Sequence, residues 1–260
     1  MSDRADSNGV GIAWSSHGDG PPVLLIHGLG YARWGWEPLV PLLATHFRVI
    51  SFDNRGIGES DVPPGPYDAA QMMGDALAVL EAAGVDRAHV VGTSLGGMIA
   101  QEMAVAHPER VECLVLMSTT PGGPEAYPMP QVTVDLLGRS ATMDPRDALR
   151  AFVVNALGTD PDPAVVERIM FHRTAHPQDP AGWQAQAVAG TTFEAGEGVI
   201  GVPTLILHGT DDRVVDVRNA AVLAERIPGA EVVTINGGHL MFWEDPDHVA
   251  GLIIDFLERP

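Results

Sequence analysis

Cysteine is all but missing from this chain: Cys113 is the only one in 260 residues. It has no partner for an internal disulfide. Its setting in the apolar run "VECLVLM" reads as an inert thiol within a strand rather than a reactive one. Basic residues are scarce too. Lys and Arg number 15 against 34 Asp and Glu, a formal net charge of -19. So acidic a surface repels phosphate backbones, which argues against nucleic acid and anionic membrane as partners. No apolar run approaches the roughly 20 residues that span a bilayer. The opening "MSDRADSNGVGIAW" has no apolar signal core. A cytoplasmic protein is expected. No His or Cys cluster has metal-ligand spacing, so neither a metal nor any other cofactor is expected. Internal repeats and low-complexity tracts are missing as well.

What is present is core material: 45% of residues are hydrophobic and 19% charged, enough to bury an interior. "PVLLIHG" (22–28), "FRVISFDNRG" (47–56), "AHVVGTS" (88–94) and "VECLVLMST" (111–119) are short apolar runs. Helical patterns over 36–45, 68–83 and 95–106 lie between them. Short apolar strands alternating with helices predict an α/β fold, a mostly parallel sheet covered on both faces. From residue 120 to 201 the strands stop. Asp144-Pro145, Asp162-Pro163 and Asp179-Pro180 each open a helical pattern, Asp as cap and Pro in the first turn. "VPTLILHG" (202–209), a helix near 217–227, "AEVVTING" (230–237) and a final helix from Asp245-Pro246 to Leu257 resume the alternation. The expectation is one core, residues 1–119 and 202–260, carrying a helical cap over 120–201.

Gly92-Thr93-Ser94-Leu95-Gly96 matches G-x-S-x-G. A serine lifted above a sheet on a sharp strand-to-helix turn needs neighbours two away without Cβ, and the following helix aims its N–H groups at the site. Chance yields the bare pattern in about one such chain in ten; the strand before it and the helix after it give it weight. The chain has ten histidines, so position must select the base. His239 follows the last apolar run, in "INGGHLMFWEDP", behind two glycines. His107 and His248 look structural, and His208 ends a strand. An orienting acid belongs on the loop after the preceding strand, where "LILHGTDDRVVD" offers Asp211, Asp212 and Asp216. Position alone leaves all three open. An oxyanion hole would take the N–H of Leu95 and one from "HGLG", where Gly28 and Gly30 allow Leu29 to face inward. "FDNRGIGES" (52–60) lacks the lysine of a Walker loop and the third glycine of a dinucleotide loop, so it reads as a structural turn.

These landmarks in this order ("HGLG", "DNRGIGES", "GTSLGG", "HGTDDRVV", "GGHLMFWEDP") closely resemble the α/β-hydrolase fold superfamily over residues 10–257. Within it the chain is most similar to small capped esterases and 3-oxoadipate enol-lactonase-like enzymes. The resemblance implies Ser94 as nucleophile, Asp212 as the acid, His239 as the base, and Leu29 and Leu95 as oxyanion donors. Relatives often carry proline where this chain has Asp216. Serine at 94 disfavours haloalkane dehalogenase and epoxide hydrolase chemistry, which use aspartate there.

The expected activity is hydrolysis of a small ester or lactone with an apolar part, through an acyl-enzyme. The same triad also serves C–C bond hydrolysis and perhydrolysis, and some proteins of this fold are ligand receptors. Trp34, Trp36, Phe152 and Trp183 are the chosen pocket residues, with Met129, Met143, Phe171 and Phe193 as further candidates. Assembly into a homo-oligomer is compatible with the sequence.

Overall fold

The computed structural model describes residues 2–196 and 198–259. Its strands are β1 (Asp3–Ser7), β2 (Val10–His17), β3 (Pro22–Ile26), β4 (Arg48–Phe52), β5 (Ala88–Thr93), β6 (Val111–Met117), β7 (Thr204–Gly209) and β8 (Glu231–Ile235). They form one sheet in the order β1-β2-β4-β3-β5-β6-β7-β8. The strands from β4 through β3 to β8 run parallel, while β2 joins β4 and β1 joins β2 antiparallel.

Alternation along each central strand feeds two cores. Leu24 and Ile26 point to one face, Val23 and Leu25 to the other. The first face is covered by α2 (Ala69–Ala82), α3 (Leu95–Ala106) and α8 (Asn219–Arg226), through Met72, Ile99 and Leu223 among others. The second is covered by α1 (Val40–Leu43), α9 (Met241–Glu244) and α10 (Pro246–Leu257), through Leu43, Phe242 and Ile253. Burial on both faces is why these strands read as unbroken apolar runs.

Between β6 and β7 the chain leaves the sheet for α4 (Gln131–Ser140), α5 (Pro145–Asn155), α6 (Pro163–Ala175) and α7 (Pro180–Thr191). Asp144, Asp162 and Asp179 each accept a backbone N–H of the turn they open, at 2.8–2.9 Å. Each cap contributes about 1 kcal/mol. The insertion shares both cores: Ala185 and Ala189 join the first, Val153, Leu157 and Ile169 the second.

One local expectation needs correction, and two elements were not expected. The helix expected over 36–45 is a 3-10 turn, Arg33–Trp36, then the four-residue α1. Pro38 and Pro41 remove N–H groups a longer helix would use. The hairpin of β1 and β2 and the helix α4 gave no clear sequence signal. In β1, "DRADS", only Ala5 and Ser7 are buried; α4 opens on Pro130 with no capping side chain.

Cys113 is half-buried, and burial pushes its thiol pKa up, which suits an inert group. Among the described residues no helix is long and apolar enough to cross a membrane, and no three His, Cys, Asp or Glu side chains are arranged to hold a metal ion.

Candidate active site

The parallel strands deliver four loops to one edge of the sheet. β3 leads into His27–Gly28, β5 into Ser94, β7 into the loop that carries Asp212, and β8 into the loop that carries His239. This is the carboxyl edge, where open α/β sheets place their sites.

Ser94 occupies φ 55°, ψ -121°, between the last residue of β5 and the first of α3. The conformation costs of order 1–3 kcal/mol and persists only where its surroundings fix it. They do so here: Ser94 N–H donates to Met117 C=O at 2.9 Å, and Ser94 C=O accepts from Thr119 Oγ1 at 2.7 Å and from Gly97 N–H at 2.9 Å. The glycines follow from close packing. A Cβ on Gly96 would strike the Ile26 carbonyl, and one on Gly92 the Gly96 carbonyl. A Cβ on Gly28 would stand 2.9 Å from Ser94 Cβ, so the loop after β3 lies directly against the serine. Leu95 N–H opens the 12-residue α3, whose positive end faces this point.

His239 Nδ1 lies 2.8 Å from Asp212 Oδ2. That contact commits Nδ1–H to the carboxylate and leaves Nε2 as the ring's free base. Of the three aspartates on the β7 loop, Asp212 alone makes this contact. Asp216 pairs with Arg218, Nε to Oδ1 at 2.9 Å, and Asp211 bonds Thr159 Oγ1. Asp212 is saturated: Oδ1 accepts the N–H groups of Val214 and Val215 at 2.8 and 2.9 Å. Oδ2 also lies 3.2 Å from His208 Nε2. Burial alone would push this carboxyl up. The His239 charge and the bonds from His208 and His239 outweigh it and hold Asp212 well below the usual carboxylate range.

Two contributors were missed in the sequence. His208 was read as structural; it lies on Asp212 and is fully buried. Glu244 drew no comment. Its carboxylate accepts Gly238 N–H at 2.7 Å and Gly158 N–H at 2.9 Å, tying the His239 loop to the loop that follows α5. The run "GGHLMFWEDP" held a weak signal, an acidic residue five places after the histidine.

The expected pocket residues divide. Trp183 of α7 is exposed beside Gly30: a Cβ there would lie 3.0 Å from its Cδ1. Phe152 is partly buried on α5. Trp34 stacks on His172 of α6, centroids 5.0 Å apart and planes within 6°. Trp36 is corrected. It is completely buried, 4.7 Å from the His27 ring and 5.2 Å from Phe242, so it supports the loop after β3 from within the core. Phe193 is likewise core, whereas Phe171 is 69% exposed. Met129 is exposed and Met143 partly buried.

Sheet order, elbow and insertion together define the α/β-hydrolase architecture. The family model described as alpha/beta hydrolase fold matches residues 21–246, and the chain belongs to that family. Among curated relatives, one from Azorhizobium caulinodans, provisionally named carbamate hydrolase RutD, is 31% identical over 94% of each chain. A 2-hydroxy-6-oxononadienedioate/2-hydroxy-6-oxononatrienedioate hydrolase from Cupriavidus pinatubonensis is 31% identical over 90% of this chain and 86% of its own. The enol-lactonase from Burkholderia xenovorans LB400 superposes with a TM-score of 0.86 at 28% identity, covering 99% of this chain and 100% of that one. The chain is therefore a hydrolase, similar in structure to a lactonase and in sequence to hydrolases of other substrates.

Proposed function

We propose that the protein hydrolyses a small carboxylic ester or lactone, without a cofactor, through an acyl-enzyme on Ser94. The observation that carries this reading is the 2.8 Å contact between His239 Nδ1 and Asp212 Oδ2, on the same sheet edge as a strained serine. In the reaction Ser94 Oγ attacks the carbonyl carbon while His239 Nε2 takes its proton. The proton passes to the leaving alkoxide as the acyl bond breaks. Water then repeats the sequence from the other side and frees the acid. Asp212 holds the ring and offsets its positive charge in the intermediate. Leu29 and Leu95 N–H would bind the oxyanion.

The helices between β6 and β7 act as the cap, with Trp34, Phe152 and Trp183 proposed as substrate contacts. The single cysteine supports a cytoplasmic setting. A second reading has support from relatives' names: the same residues acting on a carbamate or on a vinylogous diketone by C–C cleavage. Turnover of nitrophenyl esters, lactones, carbamates and vinylogous diketones by wild type and Ser94→Ala decides between them. The expected result is ester or lactone turnover that Ser94→Ala lowers by up to about a million-fold. Turnover of the diketone alone would replace the ester reading with the second one.

A further inference from the structure

The residue after Leu29 is held from outside the core. Gly30 N–H donates to Gln186 Oε1 at 3.0 Å, and Gly30 C=O accepts from Arg173 Nη1 at 2.6 Å and from Gln178 Nε2. All three side chains belong to the insertion: Arg173 to α6, Gln186 to α7, and Gln178 to the link between them. The core holds the two ends of this loop, through Asn54 Nδ2 donating to His27 C=O at 2.9 Å and Arg33 N–H donating to Asp53 Oδ1 at 2.7 Å, and Gly30 between them is held by the insertion.

Gln186 is completely buried, and both ends of its amide are engaged. Its Nε2 donates to Arg55 C=O at 2.7 Å. Arg55 is in turn fixed to the core by a two-pronged pair with Asp75, at 2.6 and 2.7 Å. A side chain serving only to fill this space would be apolar, because a buried amide carries a desolvation cost that only its hydrogen bonds recover. With both ends committed it has one orientation, and that orientation fixes the Leu29–Gly30 peptide. Gly30, at φ 74°, is the third residue of a turn closed by Tyr31 N–H to Gly28 C=O at 3.3 Å. Leu29 N–H lies on the preceding peptide, whose Gly28 carbonyl accepts Tyr31 N–H. Tyr31 N–H in turn shares a peptide with the Gly30 carbonyl that Arg173 and Gln178 hold, so the insertion fixes both peptides flanking Gly30 and, through the turn bond, the one that carries Leu29 N–H.

We propose that Gln186, supported by Gln178 and Arg173, is a positioning residue for the oxyanion hole: Leu29 N–H is aimed at the reacting oxygen only while α7 is docked on the loop after β3. The insertion then belongs to the acyl-transfer machinery as well as to the pocket wall. Lifting α7 to admit substrate or release product loosens the turn at 28–31, and docking it restores the turn. This inference rests on Ser94 being the acylated nucleophile.

The test is Gln186→Met, which keeps the length of the side chain and removes both hydrogen bonds. Hydrolysis of a nitrophenyl ester is measured beside the affinity of an aryl trifluoromethyl ketone, whose adduct with Ser94 carries an oxyanion. The expected result is a fall in kcat of about ten- to a hundred-fold, less than the loss of a donor itself. KM should stay within about threefold, and ketone affinity should fall in step with kcat. An unchanged kcat with a raised KM would make Gln186 a pocket wall and overturn the proposal. If Gln186→Met does not fold, Gln178→Ala removes one of the two donors to Gly30 C=O from the half-buried link. It should lower kcat and ketone affinity together by about threefold or more, and wild-type values for both would again overturn it. Wild-type enzyme that neither releases nitrophenolate nor binds the ketone sinks the Ser94 reading, and the inference with it. Active wild type with an equally active Gln186→Met sinks the inference alone.

Discussion

His208 and His239 converge on one atom: their ring nitrogens lie 3.2 and 2.8 Å from Asp212 Oδ2. His239 comes from the loop after β8 and His208 from the C-terminal end of strand β7, so one carboxylate oxygen joins neighbouring strand ends. Replacing Asp212 by Asn puts an amide where two N–H donors point and removes the charge that steadies the ring cation. The expected outcome for Asp212→Asn is a loss of kcat of about ten-thousand-fold with folding intact. Asp216→Asn, which breaks only the pair with Arg218, should stay within a few-fold of wild type. Ester hydrolysis by the two variants, measured side by side, checks the assignment; the reverse pattern would move the acid to Asp216.

His208 Nε2 lies 3.1 Å from Val215 C=O and 3.2 Å from Asp212 Oδ2, so His208→Leu removes a donor shared between that carbonyl and the buried carboxylate and leaves His239 in place. Hydrogen bonds to charged groups contribute about 1.5–3 kcal/mol. Urea unfolding should show a loss of that order, accompanied by a smaller fall in kcat than Asp212→Asn produces.

Much of this site was legible because its constraints are local. Gly92 is fixed by the Gly96 carbonyl four residues on, in the first turn of α3, and the Asp-Pro pairs cap helices that begin at the next residue. The mostly parallel sheet covered on both faces followed from alternation of short apolar runs with helices; its strand order did not. What stayed hidden depends on distant pairing. Gln186 meets Gly30 across 156 positions, and its neighbours in sequence, "WQAQAVAG", read as an ordinary helix face. His208 gains its role only because the β7 loop folds Asp212 back over it. Trp36 is expected from the sequence as a pocket residue, yet the 3-10 turn directs it into the core.

Glu244→Gln tests the tie between the His239 loop and the loop that follows α5. Glutamine keeps one acceptor but turns its NH2 group toward either Gly158 or Gly238 N–H. The prediction is a stability loss of about 1–3 kcal/mol with a several-fold lower kcat, read by thermal melting and ester turnover. A variant with unchanged melting and turnover would make the contact incidental.

Stability should fall with acid in two stages. Burial drives the His27 pKa down to about 3. The folded state therefore refuses a proton that the unfolded chain accepts below about 6.5. Stability is full above that value and is lost at about 1.4 kcal/mol per pH unit as pH falls toward 3. His89, lowered mainly by burial, acts with the same sign. Asp212 enters later. Its folded pKa is depressed, so its contribution is present above the unfolded value of about 3.9 and is lost as pH falls through the folded one. Unfolding free energy measured from pH 7 to 4 should show the first stage, and His27→Asn should flatten its slope. An unchanged slope in that variant would contradict the assignment.

Gly28→Ala places a methyl 2.9 Å from Ser94 Cβ. The fold should tolerate it, since the two loops can separate by a few tenths of an ångström. Catalysis should not, because the separation would spoil the alignment of the proposed nucleophile, Ser94, and the proposed oxyanion donor, Leu29 N–H. A fall in kcat of about ten-fold or more, with thermal stability near wild type, is expected from kinetics and melting. Wild-type kcat would mean that the loop after β3 does not form part of the site.

The most direct test of the account is to catch the acyl group on its residue. Wild-type protein mixed with a nitrophenyl ester of a bulky acid, quenched early and analysed by peptide mass spectrometry, should carry the acyl mass on the peptide containing Ser94. A matching burst of nitrophenolate should accompany it. Ser94→Ala should show neither. An acyl adduct on another residue, or near-wild-type turnover by Ser94→Ala, would contradict the account.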